Sequence, residues 1–563
     1  MRKLIFFILI LYSYLGYPQI YFNTSPFWIS TDVSNYSTGC GWADINKDGW
    51  LDLVVANGND MARQKVVVYI SNSGVLPTTP SWVSNDIDYH GHLSIGDVNN
   101  DGFPDVAVSV YIGPGGFGQR GKVKIYMNNN GVLTSNPAWV SADTVYTFSC
   151  AFGDADNDGD LDLAVASGES YNLKPEQMRV YYNNNGIFES LPSWKSVLSF
   201  YAMDVTWADI NKDGKLDLIF CCERGPNRMF LNYGDSIATV HSWVSTDASQ
   251  YANSLFVDDV NGDGWLDLAV SDNNQLGGSG KFKIYLNNSG TLATTPFWSS
   301  SFSGYGSGIN LARVTASNFP HLICGGWWTA CRIYENTNGT FQLTPQWTSA
   351  TSSVVEAIVC ADYDNDGISS KLDQFSSNGT KKLYYLSRYP VHKIQKVVFG
   401  TDSILPSQYC YDLENGWIIL KNPPPSGTTI KIYYYASYDL DFAVTNWDNN
   451  KGNYLFKNSI VVNVNKIAAT TSEKYELYQN YPNPFNPETN IKYIIPKESN
   501  VRLVLYDQLG KEIITLVNKV QPAGEYLVVI NMKMLGLNLT SGVYYYSLIA
   551  GDFKDSKRLI LAK

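Results

Sequence analysis

Residues 259–270 read DVNGDGWLDLAV, an acidic turn followed by an apolar run. Side-chain oxygens fall at positions 1, 3, 5 and 9 of the turn, on Asp259, Asn261, Asp263 and Asp267. Gly264 at position 6 permits the left-handed backbone that a sharp turn needs. The run LDLAV is short, apolar and β-prone. The stretch therefore predicts an oxygen-lined turn that leads directly into a buried strand.

Four other stretches repeat the pattern D-x-[DN]-x-D-G-x-x-D. They are DINKDGWLDL from Asp44, DVNNDGFPDV from Asp97, DADNDGDLDL from Asp154 and DINKDGKLDL from Asp209. Carboxylates about 5 Å apart repel by roughly 3 kcal/mol per pair at an effective dielectric constant of about 20, and Ca²⁺ takes about six to eight such oxygens. We therefore predict about five or six structural calcium sites. The alternative is a set of Asp-rich turns that needs no metal.

These loops are not EF-hands, because Val270 rather than Glu stands at position 12 and a β-prone run follows. The predicted calcium ligands are the residues at positions 1, 3, 5, 7 and 9, where position 7 offers its backbone carbonyl. In the five intact copies they are Asp44, Asn46, Asp48, Trp50, Asp52, Asp97, Asn99, Asp101, Phe103, Asp105, Asp154, Asp156, Asp158, Asp160, Asp162, Asp209, Asn211, Asp213, Lys215, Asp217, Asp259, Asn261, Asp263, Trp265 and Asp267.

Two further copies depart from the pattern. Residues 312–323, ARVTASNFPHLI, carry no carboxylate at the ligand positions, so we predict no calcium in this sixth loop. The seventh copy begins with Asp362, Asp364 and Asp366 and resumes at DLDFAV, where Asp441 takes position 9. We interpret residues 368–438 as a small β-module inserted inside this loop, since they hold alternating runs separated by turns. The alternative is a truncated seventh unit followed by an eighth fragment.

A tryptophan recurs in similar surroundings before each of these copies. It stands at Trp28, Trp82, Trp139, Trp194, Trp243, Trp298 and Trp347, with spacings of 54, 57, 55, 49, 55 and 49 residues. A period near 50 residues is typical of one four-stranded propeller unit per repeat. We predict an all-β protein with a seven-bladed β-propeller over residues 19–460. The N-terminal segment IYFNTSPFW should then supply the outer strand of the seventh blade.

The two ends of the chain have other signatures. Arg2 and Lys3 precede a short apolar run, which predicts a cleaved export signal over residues 1–18; a single membrane anchor is the alternative. We expect no transmembrane helix in the mature chain, because no later stretch reaches about 18 apolar residues. Residues 461–474 are interpreted as a linker, and the strands of residues 475–563 predict a C-terminal β-sandwich.

The repeated acidic loops resemble the FG-GAP or VCBS-type repeats of the seven-bladed propeller in integrin α-subunits. The C-terminal segment, with YPNPF and GVYYYSL, resembles the type A sorting domain of the type IX (Por) secretion system. These resemblances imply calcium in the propeller loops and a bacterial protein handled by the type IX machinery. They place it outside the cell or on its outer surface. An ordinary binding module is the alternative for the C-terminal domain.

The predicted ligand-binding face is the one opposite the acidic loops. A tyrosine recurs there shortly after six of the seven tryptophans, and two tryptophans lie in one loop between strands. They are Tyr36, Tyr89, Tyr146, Tyr201, Tyr251, Tyr305, Trp327 and Trp328. Such rings could stack on sugars or contact a protein; the alternative is that they only pack neighbouring blades together.

The composition and motifs exclude several function classes. The net charge of −11 without a basic block argues against nucleic acid. GFGQRGK at residues 116–122 mimics a phosphate loop, but Val123 replaces the Ser or Thr that binds Mg²⁺, so we predict no nucleotide. The eight cysteines are interpreted as buried thiols, with one disulfide possible between Cys324 and Cys331.

The predicted function is binding rather than catalysis. Only five histidines occur, and none lies in a recognisable nucleophile motif. We expect a secreted, calcium-stabilised adhesion or binding module for a glycan or an extracellular protein. The alternative is a carbohydrate-active enzyme, a polysaccharide lyase or hydrolase, built on a propeller.

Overall fold

A computed structural model describes residues 20, 22–247, 250–275, 277–315, 317–458, 463–468, 474–486, 488–531 and 539–562. The fold and the contacts below are those of these residues. The predicted export signal, residues 1–18, lies outside them. The all-β prediction is confirmed, since 54% of residues are in strands and 1% in helix.

Seven antiparallel units, each with four strands given from first to fourth, follow one another along the described chain, and each is called a sheet here although units 3 and 4 share one strand and are continuous. Sheet 1 has Ser37–Ala43, Asp52–Asn57, Val67–Tyr69 and Trp82–Val83. Sheet 2 has Tyr89–Gly96, Asp105–Gly113, Val123–Tyr126 and Trp139–Val140, with the extra strand Gly116–Arg120. Sheet 3 has Thr147–Gly153, Asp162–Ser167, Glu176–Tyr181 and the start of Trp194–Ala208. The rest of Trp194–Ala208 opens sheet 4, which continues with Asp217–Glu223, Arg228–Phe230 and Trp243–Val244.

The remaining sheets complete the series. Sheet 5 has Ala252–Asp258, Asp267–Asp272, Phe282–Tyr285 and Trp298–Ser299. Sheet 6 has Gly306–Ala312, His321–Gly326, Thr329–Tyr334 and Trp347–Ser353. Sheet 7 has Val355–Ala361, Asp441–Asn446, Tyr454–Phe456 and Trp28–Ile29. Two short hairpins follow the third strands of sheets 3 and 6, Asn183–Asn184 with Ile187–Phe188 and Asn336–Thr337 with Thr340–Phe341.

The first strands of the seven sheets form a closed ring. Each contacts the first strand of the next sheet, and the first strand of sheet 7 contacts that of sheet 1. The N-terminal strand completes sheet 7, because Trp28 lies opposite Leu455 in an antiparallel pair. This is the outer strand that the repeat order predicted. Pairing the two ends of the ring in one sheet avoids an open sheet edge at the join.

The recurring tryptophans pack each sheet against the next one. Trp82, in the fourth strand of sheet 1, lies edge-on to Tyr126 of sheet 2 with ring centroids 5.9 Å apart. Its Nε1 donates a hydrogen bond to the Leu133 carbonyl at 3.1 Å. Trp347 similarly meets Phe456 across the seam between sheets 6 and 7, at 5.4 Å. The sequence period is therefore the period of these inter-sheet contacts.

In sheets 2 to 7, an asparagine after the third strand binds the sheet to the loop between the first two strands of the sheet before it. Asn287 Nδ2 donates to the Ile210 carbonyl of the preceding loop at 2.9 Å and to the Leu266 carbonyl of its own loop at 3.1 Å. Its Oδ1 accepts from Gly290 N at 2.8 Å. The same bond to the preceding loop is made by Asn128, Asn183, Asn232, Asn336 and Asn458. Sheet 1 has Ser71 at this place, and its buried hydroxyl has no partner among the described residues.

The inserted residues 368–438 form a module with two sheets of their own. One sheet holds Ile368–Ser376, Thr429–Ser437, Val391–Phe399 and Asp402–Ile404; the other holds Leu383–Tyr385, Trp417–Leu420 and Tyr409–Asp412, beside a 3₁₀ turn at Pro406–Gln408. The chain before and after the module pairs within sheet 7, where Ala361 lies opposite Asp441. Residues 368–438 thus lie between two adjacent strands of one sheet, and their interpretation as an insertion stays a prediction.

The C-terminal residues form two four-stranded sheets around an apolar core of their own. One sheet holds Asn463–Ala468, Gly524–Asn531, Glu488–Ile495 and Glu476–Leu477. The other holds Glu512–Gln521, Ser499–Tyr506, Gly542–Ala550 and Phe553–Leu561. We predicted a linker over residues 461–474, but Asn463–Ala468 is an edge strand of this domain, because its backbone pairs with Gly524–Asn531.

The possible disulfide between Cys324 and Cys331 is wrong. Both thiols are free and buried, as are those of the other cysteines. Cys324 lies opposite Arg332 in the strand pair. Because neighbouring side chains of a strand point to opposite faces, Cys331 is turned away from Cys324.

The asparagine contact predicts a large stability effect at an inter-sheet seam. Replacing Asn287 by Ala leaves two carbonyls and one amide N–H without their partner, so we expect the free energy of unfolding to fall by about 2–4 kcal/mol. Chemical denaturation followed by tryptophan fluorescence measures the change. Asn288→Ala, at the exposed neighbouring position, is the control and should cost less than about 0.5 kcal/mol. Equal effects of the two substitutions would contradict the seam contact.

Candidate metal centres

The intact acidic loops are numbered 1 to 5 in chain order, from Asp44 to Asp259, and they share one hydrogen-bond pattern, which loop 5 illustrates. Asp259 Oδ2 accepts from Gly264 N at 2.7 Å, and Asp263 Oδ1 accepts from Trp265 N at 2.8 Å. Gly264 has a φ of +87°, in the left-handed region that the sequence pattern anticipated. The side chains at positions 1 and 5 therefore fold back over the turn instead of extending into solvent.

The aspartate at position 9 has a role that the sequence did not reveal. Asp267 Oδ2 accepts from Val260 N at 3.0 Å, and its Oδ1 accepts from Asn287 N at 2.7 Å. The side chain is fully buried. This carboxylate thus joins the start of its loop to the turn that carries the seam asparagine. Each of its oxygens has a second lone pair that is available to a cation.

Position 4 of one loop contacts position 7 of the next. Lys212 Nζ lies 4.0 Å from the ring centroid of Trp265. Lys47 Nζ lies 4.2 Å from that of Phe103. Between loops 2 and 3 the same contact is a hydrogen bond from Asn100 Nδ2 to Asp160 Oδ1 at 2.9 Å. Side chains at position 7 thus connect neighbouring loops, whereas their backbone carbonyls remain the predicted ligands.

The carboxylates of two loops come close enough to share one ion. Candidate ligand atoms of Asp154, Asp156 and Asp162 lie within 4.8 Å of one another. Those of Asp362, Asp364 and Asp441 do the same, although the inserted module separates Asp441 from the others in the sequence. Both sets consist of hard oxygen donors, which suit Ca²⁺ or Mg²⁺ better than a thiophilic metal.

Several carboxylates of the acidic loops have a buried oxygen that accepts no hydrogen bond. Asp44 Oδ1, Asp209 Oδ1 and Asp364 Oδ1 are buried without a hydrogen-bond partner among the described residues. A buried acceptor without a partner is costly. A cation held between positions 1, 3 and 5 would satisfy these oxygens, so the residues present fit a hard divalent ion.

Burial and crowding shift the titration of the same loops. Burial is the main cause that raises the pKa of Asp97 and Asp209 to about 6 and that of Asp154 to about 8, with neighbouring aspartates adding to the effect. Burial also raises the pKa of the position-9 carboxyls of Asp52 and Asp217 to about 7. Without a cation, these carboxyls therefore titrate between about pH 6 and pH 8.

The seventh loop contains a carboxylate that sequence reasoning missed. Asp439, two residues before Asp441, is buried, and burial together with Asp366 and Asp441 raises its pKa well above the ordinary value. The sequence did contain a signal for Asp439. This residue stands at position 7, two residues before the position-9 aspartate, as Asp160 does in the third loop. Lys457 pairs with Asp364 and, at 3.0 Å, with Asp366. An ammonium group thus supplies part of the positive charge in this loop.

The sixth loop replaces carboxylates by guanidinium groups. Arg313, at the first ligand position, forms two hydrogen bonds with Asp258 of sheet 5, at 2.7 and 2.8 Å. Arg388 of the inserted module donates to the Arg313 carbonyl at 2.9 Å and to the Ser317 carbonyl at 3.3 Å. These backbone oxygens of the loop therefore face a side-chain cation. Guanidinium groups at this loop would repel a calcium ion. That the loop binds no calcium stays a prediction.

One further acidic cluster lies outside the repeated loops. Candidate ligand atoms of Asp86, Asp88 and His90 lie within 4.8 Å of one another. Lys124 Nζ, however, pairs with both carboxylates, at 2.6 Å with Asp86 and closely with Asp88. The lysine supplies the counter-charge here, so this cluster is an ion-pair network.

The predicted aromatic residues do not form one uniform ring. Tyr146 is buried, and its hydroxyl donates to the Phe117 carbonyl at 2.9 Å, as the packing alternative expects. Tyr305 is 39% and Trp328 59% exposed, whereas Trp327 is buried. The remaining members are partly buried, and they are Tyr36, Tyr89, Tyr201 and Tyr251.

Sequence reasoning missed the residue that joins several of these rings. Trp447 stacks on Trp327, with ring centroids 5.9 Å apart, and lies edge-on to Trp328 at 6.2 Å. It also meets Tyr36 of the segment before sheet 1 at 6.3 Å. Tyr305 lies 5.7 Å from Trp328. We call these five residues the aromatic cluster. Trp447 belongs to no repeated motif, so only the fold brings it here.

Known protein families match both parts of the chain. Residues 44–108, 110–165, 169–220 and 214–270 match the FG-GAP-like repeat, and residues 91–126 match the FG-GAP repeat. Residues 479–562 match a secretion system C-terminal sorting domain. The chain therefore carries FG-GAP repeats and a sorting domain, as the sequence resemblance predicted. This domain marks proteins exported by the type IX system, outside the cell or on its outer surface.

Curated relatives are similar to a small part of the chain. Integrin alpha-3 of Mus musculus is 33% identical over 118 residues, which are 19% of this chain and 11% of the integrin. Integrin alpha-7 of Homo sapiens is 32% identical over 150 residues, 24% of this chain and 12% of the integrin. The chain thus spans a small fraction of these relatives' length.

A solved structure gives a weaker likeness. The crystal structure of BBS1N in complex with ARL6DN, soaked with lead, superposes with a TM-score of 0.40 at 12% identity, over 60% of this chain and 91% of that chain. Separately, no helix among the residues described above is long and apolar enough to cross a membrane.

The raised pKa values predict an unusual pH dependence for the metal-free protein. The carboxyls of Asp97, Asp154 and Asp209 have pKa values of about 6 to 8 when folded, against 3.8 as the ordinary value. The folded state then binds more protons than the unfolded state between these values, so the free energy of unfolding falls as the pH rises from about 4 to about 8. Denaturation in excess chelator at pH 5, 6, 7 and 8 measures it. Rising stability over this range would contradict the burial of these carboxyls.

Proposed function

We propose that this protein is a secreted or surface-bound binding module whose acidic loops hold calcium ions and whose opposite face holds a glycan or an extracellular protein. The sorting domain and the FG-GAP repeats support a role outside the cell. The integrin relatives favour adhesion over catalysis as the class of function. The aromatic cluster is the observation that carries the binding assignment.

The proposed ions would lie in six loops. Positions 1, 3, 5 and 9 of loops 1 to 5 would hold five of them, with the position-7 carbonyl as a further ligand. Asp362, Asp364, Asp366, Asp439 and Asp441 would hold the sixth. Bound calcium supplies positive charge between carboxylates that otherwise repel one another. Because each of loops 1 to 5 also accepts the seam asparagine of the next sheet, a filled loop there stabilises two sheets together.

Calcium should therefore change the thermal stability markedly. We expect the unfolding midpoint to fall by roughly 5–10 °C when millimolar calcium is replaced by chelator, because an ion that binds only the folded state stabilises it by mass action. Differential scanning calorimetry of the full chain measures the shift. Asp154→Asn should reduce the calcium-dependent part of the shift.

The matched control for this experiment is Asp235→Asn. Asp235 lies exposed in the turn that precedes the fourth strand of sheet 4 and has no place in an acidic loop. This substitution removes the same charge as Asp154→Asn and should keep the full calcium response. An unchanged midpoint in chelator, for the unsubstituted chain, would overturn the calcium proposal.

The aromatic cluster has the properties of a ligand platform. Trp328 is 59% exposed, and its φ of +55° is an uncommon backbone conformation for a bulky side chain. Such conformations persist when surrounding contacts maintain them, and they concentrate at functional sites. Next to the rings, Asn449 Nδ2 donates to Tyr36 Oη at 2.9 Å. Flat aromatic faces beside amide and hydroxyl groups suit a sugar ring, whose faces are apolar and whose edge carries hydroxyls.

Removing one exposed ring should weaken binding without unfolding the protein. We expect Trp328→Ala to lower the affinity for a retained glycan or protein at least tenfold, as truncation of a central aromatic anchor does. A glycan array and immobilised extracellular proteins identify the ligand, and calorimetry gives the affinity. Phe297→Ala is the control, because Phe297 is 58% exposed but lies outside the cluster. Turnover of an arrayed polysaccharide into shorter products would instead favour the enzyme alternative.

A further inference from the structure

The ring of first strands encloses a cavity of about 450 Å³. Residues from the first strands of all seven sheets line it, among them Leu93, Ile95 and Phe256. At the end near the acidic loops, residues of the inserted module line it as well. The cavity is therefore bounded by the ring on its sides and by the module at this end. Its volume suits a small organic molecule.

A hairpin of the module presents a carboxylate to this cavity. The strands Tyr409–Asp412 and Trp417–Leu420 pair with Asp412 opposite Trp417. In the turn between them, Asp412 Oδ1 accepts from Glu414 N at 2.9 Å and from Asn415 N at 3.0 Å. These bonds satisfy Asp412 within the turn and fix the backbone of Glu414. The hairpin thus places Glu414 on the cavity wall.

Glu414 has little compensation for its charge. Its Oε1 accepts one long hydrogen bond, from Asn310 Nδ2 at 3.3 Å. Among the described residues, Glu414 forms no ion pair with a lysine, arginine or histidine. The side chain lines the cavity and is accessible from it. Desolvation by the surrounding protein, with Asp412 nearby, raises the pKa of Glu414 to about 8.

Another polar side chain, that of His92, lines the same cavity. His92 is 9% exposed, and its Nε2 is buried without a hydrogen bond among the described residues. The other ring nitrogen, Nδ1, lies 3.7 Å from Asp204 Oδ1. Asp204 in turn accepts from the hydroxyls of Ser149 at 2.6 Å and Ser254 at 3.1 Å. The imidazole thus lies beside the cavity, but its Nε2 is buried within the wall.

We propose that this cavity binds a compact organic ammonium ion, which pairs its charged group with Glu414 and lays its apolar part against Leu93, Ile95 and Phe256. The pair would restore the charge of Glu414 and replace its single long hydrogen bond by a charge-assisted one. The cavity is separate from the aromatic cluster, so this assignment does not depend on the proposed ligand face.

An amine and an alcohol of the same shape test the assignment. Isothermal titration calorimetry of the full, calcium-loaded chain would compare cyclohexylamine with cyclohexanol at neutral pH. We expect saturable binding of the amine and at least tenfold weaker binding of the alcohol, because only the amine gains the charged hydrogen bond. Equal affinities for the two probes, or no binding of the amine, would overturn the proposal.

Three substitutions make the test specific. Glu414→Gln keeps the shape of the side chain and should weaken amine binding at least tenfold. Glu498→Gln, an exposed position in the C-terminal domain, removes the same charge and should leave binding unchanged. Ala357→Leu narrows the cavity from sheet 7 and should reduce amine binding while Glu414 is still present. Full affinity in Glu414→Gln or in Ala357→Leu would place the amine elsewhere and overturn the proposal.

Discussion

Acidic loops packed at the seams between neighbouring sheets are the constraint on which the rest of the structure depends. The backbone carbonyl at position 2 of a loop accepts a hydrogen bond from the side-chain amide of an asparagine in the next sheet. The Ile210 carbonyl, for example, accepts from Asn287 Nδ2. The carboxylate at position 9 accepts hydrogen bonds from the start of its own loop and from the turn after the third strand of the same sheet. Asp267 does so with Val260 N and Asn287 N. The loop must therefore keep its curled shape for two sheets to stay in contact. That shape also crowds carboxylates together, so each acidic loop needs positive charge.

The chain meets this need in more than one way. In the seventh loop Lys457 lies among the carboxylates. In the sixth loop Arg313 stands where the other loops have an aspartate, and Arg388 of the inserted module joins it. In the third loop Lys421 of the module pairs with Asp160 at 2.7 Å. The module thus contributes basic groups to two loops while its own chain enters and leaves through a third.

The sequence predicted much of this arrangement, because the acidic loops and the tryptophans recur at the period of the sheets. Each repeated residue makes a repeated contact, as Trp82 does with Tyr126. Features that occur once were harder to predict. Trp447 reaches the aromatic cluster only because the fold brings sheets 6, 7 and 1 together, and Asp439 is separated from its loop by the insertion. The edge strand Asn463–Ala468 is defined by backbone pairing with a distant strand, which no local pattern records.

We propose that cations fill the acidic loops and thereby hold the sheets together. Diffraction from crystals grown in calcium, recorded at long wavelength where calcium scatters anomalously, tests it most directly. We expect anomalous peaks among the carboxylates of loops 1 to 5 and of the seventh loop, and none beside Arg313 in the sixth. Intact loops without peaks, in crystals of the folded protein, would contradict the claim.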